Sequence, residues 1–331
     1  MVVLGACAAW PLITAAARDG RPEGMLLAVL AVAAGYAAGR IGGALLPVAA
    51  PCAGALAGIG LTVWVPHLAP GPQITAPLGH AGATTAMVIL SAGAASCAAW
   101  AASGSAVRSA MRLLAAGIAV TAAMLGSVTG CVAAVVVLAV SLAAGRVRRR
   151  GAALAGLGVI TAGAAGLTWA VAGSAVPDGF AASLEGRLTP HRVALWHDAL
   201  DLARTHAGLG VGPGRFGELS AASLGSPLSD GNPHSAPLQL AAEQGVVGVL
   251  LLTAAFGWLL YALWRSRRPT PVVLTVAAAL TALAAVATVG NALSFTAVAV
   301  GTGYLAGLAT SRPFALDTAR RAGEVRGGAV R

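Results

Sequence analysis

The sequence predicts an all-α integral membrane protein, with about ten transmembrane helices and one large external loop. Of the 331 residues, 57% are hydrophobic and only 10% are charged, and the mean hydropathy is +0.81. The apolar residues form long runs, several of them near the roughly 20 residues that a helix needs to cross a bilayer. The charged residues fall mainly between these runs. A soluble domain of this length would not have such a composition.

The apolar runs, taken in chain order, define the predicted helices. The first run ends in the small residues 15–17, which also fit a cleaved signal peptide, but no positive segment precedes it, so a first span is preferred. The fifth and sixth runs are divided only at 126–130, because the stretch 113–145 contains no charge. The complete set of runs is 2–17, 25–39, 41–66, 81–102, 108–126, 130–145, 152–173, 245–264, 272–289 and 293–310.

The positions of the arginines predict the orientation. The chain contains no lysine, and its arginines cluster at 146–150, at 265–268 and in the C-terminal tail. Because cytoplasmic loops carry an excess of positive charge, these clusters are predicted to be cytoplasmic. The formal charge of +10 therefore reflects topology and does not indicate nucleic acid. The predicted regions are N-terminal transmembrane helices (1–173), an extracytoplasmic catalytic loop (174–244), C-terminal transmembrane helices (245–310) and a cytoplasmic tail (311–331).

The external loop is predicted to carry the chemistry. It contains seven of the eleven acidic residues and four of the six histidines, whereas most span interiors contain no charge, which argues against an ion path or a proton relay. Residues 190–207 have the pattern of an amphipathic helix, with Thr189 as its N-cap. Asp198 and Asp201 are predicted to lie on its solvent-exposed (wet) face. Such a helix is expected to lie on the membrane surface, anchored there by Trp196.

His234 and Ser235 lie where this polar loop ends and a long apolar run begins. Ser235 is predicted to cap the helix that continues as the eighth span, which places His234 just before a helix N-terminus. The partial positive charge at that point favours anions such as phosphate and disfavours imidazolium. Neutral imidazole is the form that a general base needs. A histidine that only caps or hydrogen-bonds the loop is the alternative.

The cysteines and the remaining histidines do not predict a metal site. The four cysteines all lie in apolar runs without metal-ligand spacing, and they fit small buried residues. His191 and His197 are too few ligands for zinc. We therefore expect no metal.

Three motifs follow one another in this part of the chain. Residues 192–196 read Arg-x-x-x-Trp. Residues 208–216 form a glycine-rich run that ends in phenylalanine. Residues 234–248 read His-Ser, nine further residues and Gly-x-x-Gly. In this order, they resemble the signature of the O-antigen ligase and O-antigen polymerase superfamily. The detailed match covers roughly residues 187–250, and elsewhere only the pattern of spans agrees.

The resemblance implies a C-type glycosyltransferase of inverting mechanism, which uses neither a metal nor a nucleotide sugar and needs no cofactor. Its donor would be a glycan on a polyprenyl diphosphate, such as undecaprenyl diphosphate, in the lipids of the cytoplasmic membrane. Its acceptor would be a glycan, a lipid or a protein on the outer side of that membrane. By carry-over, Arg192 would hold the diphosphate with bidentate bonds and His234 would activate the acceptor hydroxyl. The substrate-binding residues would be Arg215, Ser235, Gln239 and Glu243.

Simpler roles stay open for several of these residues. Arg215 also fits a solvated loop charge. Glu243 also fits a group that orients His234, or one that caps or packs at the membrane edge. The glycines at 208–214 fit ordinary turns as well as a phosphate-binding nest.

The chain departs from the family in two respects. Family members often carry a Ser-Arg pair at the start of an earlier span, where this chain reads Ser-Val-Thr-Gly at 127–130, without arginine. About ten spans are also fewer than is common in the family. Two other classes stay open. One is a transporter or flippase for a lipid-linked or small-molecule substrate, and the other is a non-catalytic relative in a glycan assembly complex.

Overall fold

The computed structural model describes residues 2–68, 77–174, 190–225 and 231–312, with only the backbone given for 65–68 and 77–81. Helices and their connections account for these residues, and no strand occurs among them. The first seven helices are α1 (Val2–Arg18), α2 (Glu23–Leu45), α3 (Ala49–Leu68), α4 (Pro77–Ala101), α5 (Ser105–Met124), α6 (Val128–Ala144) and α7 (Arg150–Ala172). The later helices are α8 (Pro190–Thr205), α9 (Phe216–Leu219), α10 (Ala221–Leu224), α11 (Ala236–Arg265), α12 (Thr270–Val289), a 3₁₀ turn (Ala292–Ser294) and α13 (Thr296–Thr310).

Six helices in the described ranges are long and apolar enough to cross a membrane, namely α2, α4 over Gly82–Ala101, α5, α7, α11 and α12. Four shorter apolar helices, α1, α3, α6 and α13, accompany them. Each of these ten helices overlaps one of the ten predicted apolar runs. The all-α membrane class is therefore confirmed, whereas ten crossings and the external position of the loop stay predictions.

The boundary expected near Arg40, between the second and third apolar runs, is wrong. α2 continues through Arg40 to Leu45, and α3 begins only at Ala49. The break falls at Pro47, because proline lacks a backbone N–H and disfavours helical backbone at the preceding residue. Arg40 is tolerated near the helix end, where its guanidinium lies 6.0 Å from the centre of the Tyr36 ring.

The centre of the bundle is formed by α4 and α12. Most of the surface of both helices is buried, and α4 contacts α3, α5, α6 and α12. On one flank, α2 and α13 approach closely because glycines face the neighbouring backbone. Gly35 and Gly39 lie against the carbonyl oxygens of Val300 and Tyr304, where a Cβ would not fit. Small residues at such contacts let helix backbones approach closely in membranes.

One end of the bundle gathers the arginines that were predicted to share one side of the membrane. Arg268 donates hydrogen bonds of 2.6 Å to the carbonyl oxygen of Gly43 and to the hydroxyl of Ser311. Arg150 donates to the carbonyl oxygen of Ser266 at 3.1 Å. These bonds join the ends of α2 and α13 to the start of α7 and to the connection between α11 and α12. The cytoplasmic side for this end stays a prediction.

The opposite end of the bundle carries α8, α9 and α10 on a second hydrophobic cluster. Trp196, Phe216 and Leu238 are buried in it, beside Ala172 at the end of α7. The expectation that Trp196 anchors α8 in the membrane surface is wrong, since this side chain is only 1% exposed. The apolar face of α8 meets α7 and α11 instead of lipid. Thr189, the expected N-cap of α8, lies outside the described residues.

The two aspartates of α8, Asp198 and Asp201, differ in their exposure and in their hydrogen bonds. Asp201 is exposed and lies 3.6 Å from Arg204, so its place on the wet face is confirmed. For Asp198 the same expectation is wrong. Its carboxylate accepts hydrogen bonds from the Ser220 hydroxyl at 2.7 Å and from the Ala222 amide at 2.9 Å. It therefore fixes the start of α10 against α8.

Candidate functional site

The site is organised around a break in α11 at Gly245. This residue has φ 66° and ψ −163°, which is not helical, so the backbone groups beside it lose their partners within the helix. The glycine-rich turn at 208–214 and the residue before it supply new partners. The amides of Val211 and Gly212 donate to the carbonyl oxygens of Ala242 and Glu243, both at 2.9 Å. The amide of Val246 donates to the oxygen of Ala207 at 2.9 Å.

Glycine is required on both sides of this contact. Gly210 has φ +69° and lies against the backbone of Glu243 and Gln244. A Cβ added to Gly245 would lie 2.5 Å from the carbonyl oxygen of Ala207. Positive φ and close backbone approach are the two conditions that only glycine meets without strain. Since the amides of Val211 and Gly212 are used by the break itself, the turn interpretation is favoured over a phosphate nest.

The Arg-x-x-x-Trp element is joined directly to the histidine motif. The indole Nε1 of Trp196 donates a buried hydrogen bond of 2.8 Å to the carbonyl oxygen of Pro233, the residue before His234. His234 is half-buried and adopts left-handed backbone with φ 51°. One helical turn before Trp196, the guanidinium of Arg192 donates to the carbonyl oxygen of Val289 at 3.2 Å. Arg192 and His234 therefore lie at the same end of the bundle, on segments tied to each other.

Ser235 occupies the N-cap position of α11, but its side chain makes no capping hydrogen bond. The expected side-chain cap is therefore wrong. Pro237 stands at the second helical position and has no N–H to offer, which removes one of the two donors that a cap normally binds. The Ser235 hydroxyl is 1% exposed and has no hydrogen-bond partner in the described part of the chain.

Gln239 and Glu243 form a polar row on α11 below His234. The side-chain amide of Gln239 donates to Asn232 Oδ1 at 3.3 Å and to Glu243 Oε1 at 3.5 Å. Glu243 is 3% exposed, and the backbone amides of Gly214 and Phe216 also act on its carboxylate as hydrogen-bond donors. A buried carboxyl with several donors is held in one orientation. The row reaches from the histidine turn to the helix break.

Arg215 is engaged by the protein itself. Its guanidinium donates to the carbonyl oxygen of Arg18 at 2.7 Å and lies 3.6 Å from Glu218. Arg21 pairs with the same glutamate at 3.3 Å, and its amide donates to the oxygen of Pro213 at 2.7 Å. These contacts fasten the connection between α1 and α2 to the glycine-rich turn.

Two neighbouring cavities open beside this arrangement. A cavity of about 380 Å³ has Gln239, Glu243 and Gln244 in its wall. A cavity of about 550 Å³ is almost entirely apolar. They share lining residues, including Ala236, directly after Ser235. A cavity with polar groups in its wall thus adjoins one that is almost entirely apolar.

Sequence reasoning missed three contributors to the smaller cavity. Its wall includes Arg21, Gln244 and Asn291. Arg21 and Asn291 lie far from the motifs in sequence. Gln244 lies inside one, directly before the first glycine of Gly-x-x-Gly, and a polar residue next to a helix-breaking glycine was the available signal.

At residues 127–130, where members of the family often carry an arginine, this chain has Ser127, which pairs with Thr85. The hydroxyl of Ser127 lies 2.9 Å from that of Thr85 and accepts a hydrogen bond from the Gly130 amide at 3.2 Å. Ser127 is thus the N-cap of α6. Its side chain holds α6 to α4, and the pair adds no positive charge to this end of the bundle.

The chemical groups gathered at this end are an imidazole, a guanidinium, a carboxyl, amides and hydroxyls. In the ranges that the structure describes, no three His, Cys, Asp or Glu side chains are grouped so as to hold a metal ion. An imidazole can accept a proton, and a guanidinium can bind a phosphate through two parallel N–H bonds.

Comparison with known proteins agrees with the motifs. Residues 113–253 match the family model described as O-Antigen ligase, a range that includes α6, α7, α8 and the break in α11. No curated protein and no solved structure matches the chain. The match over residues 113–253 thus supports the resemblance to the O-antigen ligase and polymerase superfamily that the three motifs indicate.

Proposed function

We propose that the protein is a membrane glycosyltransferase that moves a glycan from a polyprenyl-diphosphate carrier to an acceptor hydroxyl on the outer side of the cytoplasmic membrane. The observation that carries this proposal is the hydrogen bond from Trp196 to Pro233, which ties the helix of Arg192 to the turn of His234. Ligase and polymerase differ only in their acceptor, which is a glycan, a lipid or a protein.

In the proposed reaction, the acceptor oxygen attacks the anomeric carbon while the bond from that carbon to the diphosphate oxygen breaks. Attack from the opposite face inverts the configuration. His234 takes the hydroxyl proton as general base. Arg192 binds the diphosphate, which leaves with the bonding electron pair, and stabilises its growing negative charge. The nucleophile is the acceptor hydroxyl, so the proposed reaction requires no metal to activate a water molecule.

The other site residues are proposed to bind substrate. Gln239 and Glu243 present an amide and a carboxyl on the row that begins at the histidine turn. The buried Ser235 directly follows His234 in sequence and directly precedes Ala236, which lines both cavities. Arg215 is proposed to act as a second diphosphate ligand, for which it must exchange its bond to Arg18.

The test is glycan profiling in a strain that lacks the protein. We expect one polymer or linkage to disappear, wild-type protein to restore it, and His234→Ala or Arg192→Ala to fail at equal protein level in the membrane. Matched controls are His206→Ala and Arg204→Ala, since both residues lie on or just after α8 and the second is an exposed partner of Asp201. Full restoration by His234→Ala and Arg192→Ala would reject the catalytic assignment and leave a non-catalytic relative.

A further inference from the structure

One end of the bundle carries a group of exposed arginines, which we call the arginine surface. It comprises Arg146, Arg148 and Arg149 between α6 and α7, and Arg265 and Arg267 at the end of α11 and just after it. The chain has no acidic residue at 24–177 or at 244–316, the stretches that contribute helices to this end. In the described part of the chain, none of the five guanidiniums has a hydrogen-bond or ion-pair partner.

Arg150 brings the two parts of the arginine surface together. Its guanidinium donates hydrogen bonds to the carbonyl oxygens of Ser266 at 3.1 Å and of Arg268 at 3.4 Å. The start of α7 is thereby held against the connection that follows α11. Arg150 and Arg268 use their own guanidiniums on backbone oxygens, whereas their exposed neighbours do not. Like charges that the fold holds together repel each other, and an anion bound among them removes that repulsion.

Two aromatic side chains lie beside the arginine surface at the end of α11. The ring centres of Tyr261 and Trp264 are 5.9 Å apart, and the two residues are 54% and 53% exposed. Trp264 also reaches the start of α7, since its Nε1 lies 3.4 Å from the point where a Cβ on Gly151 would be. Tyrosine and tryptophan concentrate at the level of lipid headgroups in membrane proteins. We therefore expect the neighbouring arginines to lie at headgroup depth.

Farther from this end, α7 exposes apolar side chains. Val159 and Ile160 are 71% and 58% exposed, about two turns along the helix from Gly151. A ligand that covers both regions needs a negative headgroup and hydrocarbon chains. A phosphodiester suits the arginines, because a guanidinium binds two phosphate oxygens through parallel N–H bonds. A soluble anion would match the arginines and leave the aromatic and apolar side chains uncovered.

We propose that the arginine surface binds an anionic phospholipid, whose phosphate lies against the guanidiniums and whose acyl chains follow the exposed side chains of α7 and α11. The lipid joins the start of α7 to the end of α11. The opposite ends of these two helices carry Ala172, in the buried cluster beside α8, and the histidine turn. The proposal depends only on this surface and is independent of the proposed glycosyl transfer.

The test is native mass spectrometry of the full-length protein in a non-ionic detergent, titrated with phosphatidylglycerol or with phosphatidylcholine of the same acyl chains. Both lipids contain a phosphate, but only the first has a net negative charge. The variant carries Arg149→Gln together with Arg265→Gln, one change in each part of the arginine surface. The matched control carries Arg18→Gln together with Arg204→Gln, which removes the same two charges from exposed residues at the other end of the bundle.

We expect the wild type to bind phosphatidylglycerol about tenfold more tightly than phosphatidylcholine, since each arginine near an anionic headgroup contributes favourably. The variant is expected to lose this preference and the control to keep it. A higher concentration of ammonium acetate should weaken the preference, because salt screens exposed charges. Glycerophosphate, which has the phosphate without the chains, should not displace the lipid. Unfolding temperatures without added lipid are expected to agree between variant and wild type, because both substituted residues are exposed.

Four results would overturn the inference. These are equal affinity of the wild type for the two lipids, the full preference retained in the variant, an equal loss in the control, and displacement of the lipid by glycerophosphate, which would indicate a site for a soluble phosphate. Displacement by hexaglutamate would likewise assign the arginine surface to an acidic peptide. None of these results affects the roles of His234 and Arg192, which lie at the opposite end of the bundle.

Discussion

Trp196 donates its indole N–H to the carbonyl oxygen of Pro233 over 2.8 Å, within a cluster of buried apolar side chains. This single bond joins two of the three family motifs across 37 residues of chain. It holds the left-handed backbone of His234 in register with α8, which carries Arg192. The catalytic proposal depends on that register, and four predictions follow from it and from its surroundings.

Trp196→Phe is expected to keep the apolar packing of α8 and to lose the bond to Pro233. The orphaned carbonyl and the lost bond cost about 1–3 kcal/mol, and transfer is expected to fall by about tenfold because a displaced base loses its reactive geometry. The measurement is glycan transfer by membranes of equal protein content. Wild-type transfer in Trp196→Phe would show that this bond does not position His234.

Arg192→Lys is expected to fail nearly as badly as Arg192→Ala. Lysine keeps the positive charge but lacks the planar fork that binds a diphosphate through two parallel bonds. Restoration of the missing polymer in the strain that lacks the protein provides the measurement. Arg204→Lys, on the exposed side of the same helix, is the control and should restore it fully. An active Arg192→Lys variant contradicts a bidentate role.

Gly245→Ala is expected to destabilise the protein and to weaken transfer. Its φ of 66° is unfavourable for alanine, and the added Cβ would meet the carbonyl oxygens of Ala207 and Gly208 at 2.5 Å. Left-handed strain alone costs about 1–3 kcal/mol. Thermal unfolding in detergent should show the loss. Gly257→Ala lies in the same helix with nothing within 4 Å, so it should leave the unfolding temperature at or above that of the wild type.

Removal of divalent cations is expected to leave transfer unchanged. The proposed chemistry uses a diphosphate leaving group, a guanidinium to stabilise it and an imidazole as base, so no step requires a metal. The measurement compares initial rates in membranes washed with EDTA and in membranes resupplied with magnesium. If the rate falls on washing and returns when magnesium is added, a metal ion and not Arg192 is the main partner of the diphosphate.

The end of the bundle that gathers the arginines shows which features can be predicted from short stretches of sequence. Hydrophobic runs are defined by the composition of about 20 neighbouring residues, and each of the ten overlaps an apolar helix. Arginines at the ends of runs predicted that Arg150 and Arg268 share one end, and the structure joins them to the same backbone segment near Ser266. The boundary near Arg40 failed because the charge was taken as a break, whereas Pro47 is the residue that stops the helix.

The motifs show which features cannot be predicted from short stretches of sequence, namely the contacts between distant segments. The resemblance predicted His234 and Arg192 as site residues, because the motifs that contain them, like the glycine-rich turn and Gly-x-x-Gly, are short runs with their own residue types. It did not determine that Val211 and Gly212 pair with the broken helix, that Trp196 points into the protein, or that Asp198 caps α10. Those facts depend on which segments meet, and a residue pattern carries no information about a partner far along the chain.

The sequence by itself thus determined the helical membrane class, the order of the apolar helices and the family motifs, since hydropathy, turn residues and motif spacing are all local properties. Only the tertiary structure decided that α1 lies against the break in α11, with Trp10 bonded to Gln244 and Arg18 bonded to Arg215. Packing between distant helices also creates the cavity that Gln244 lines, because no run of neighbouring residues specifies which helices meet.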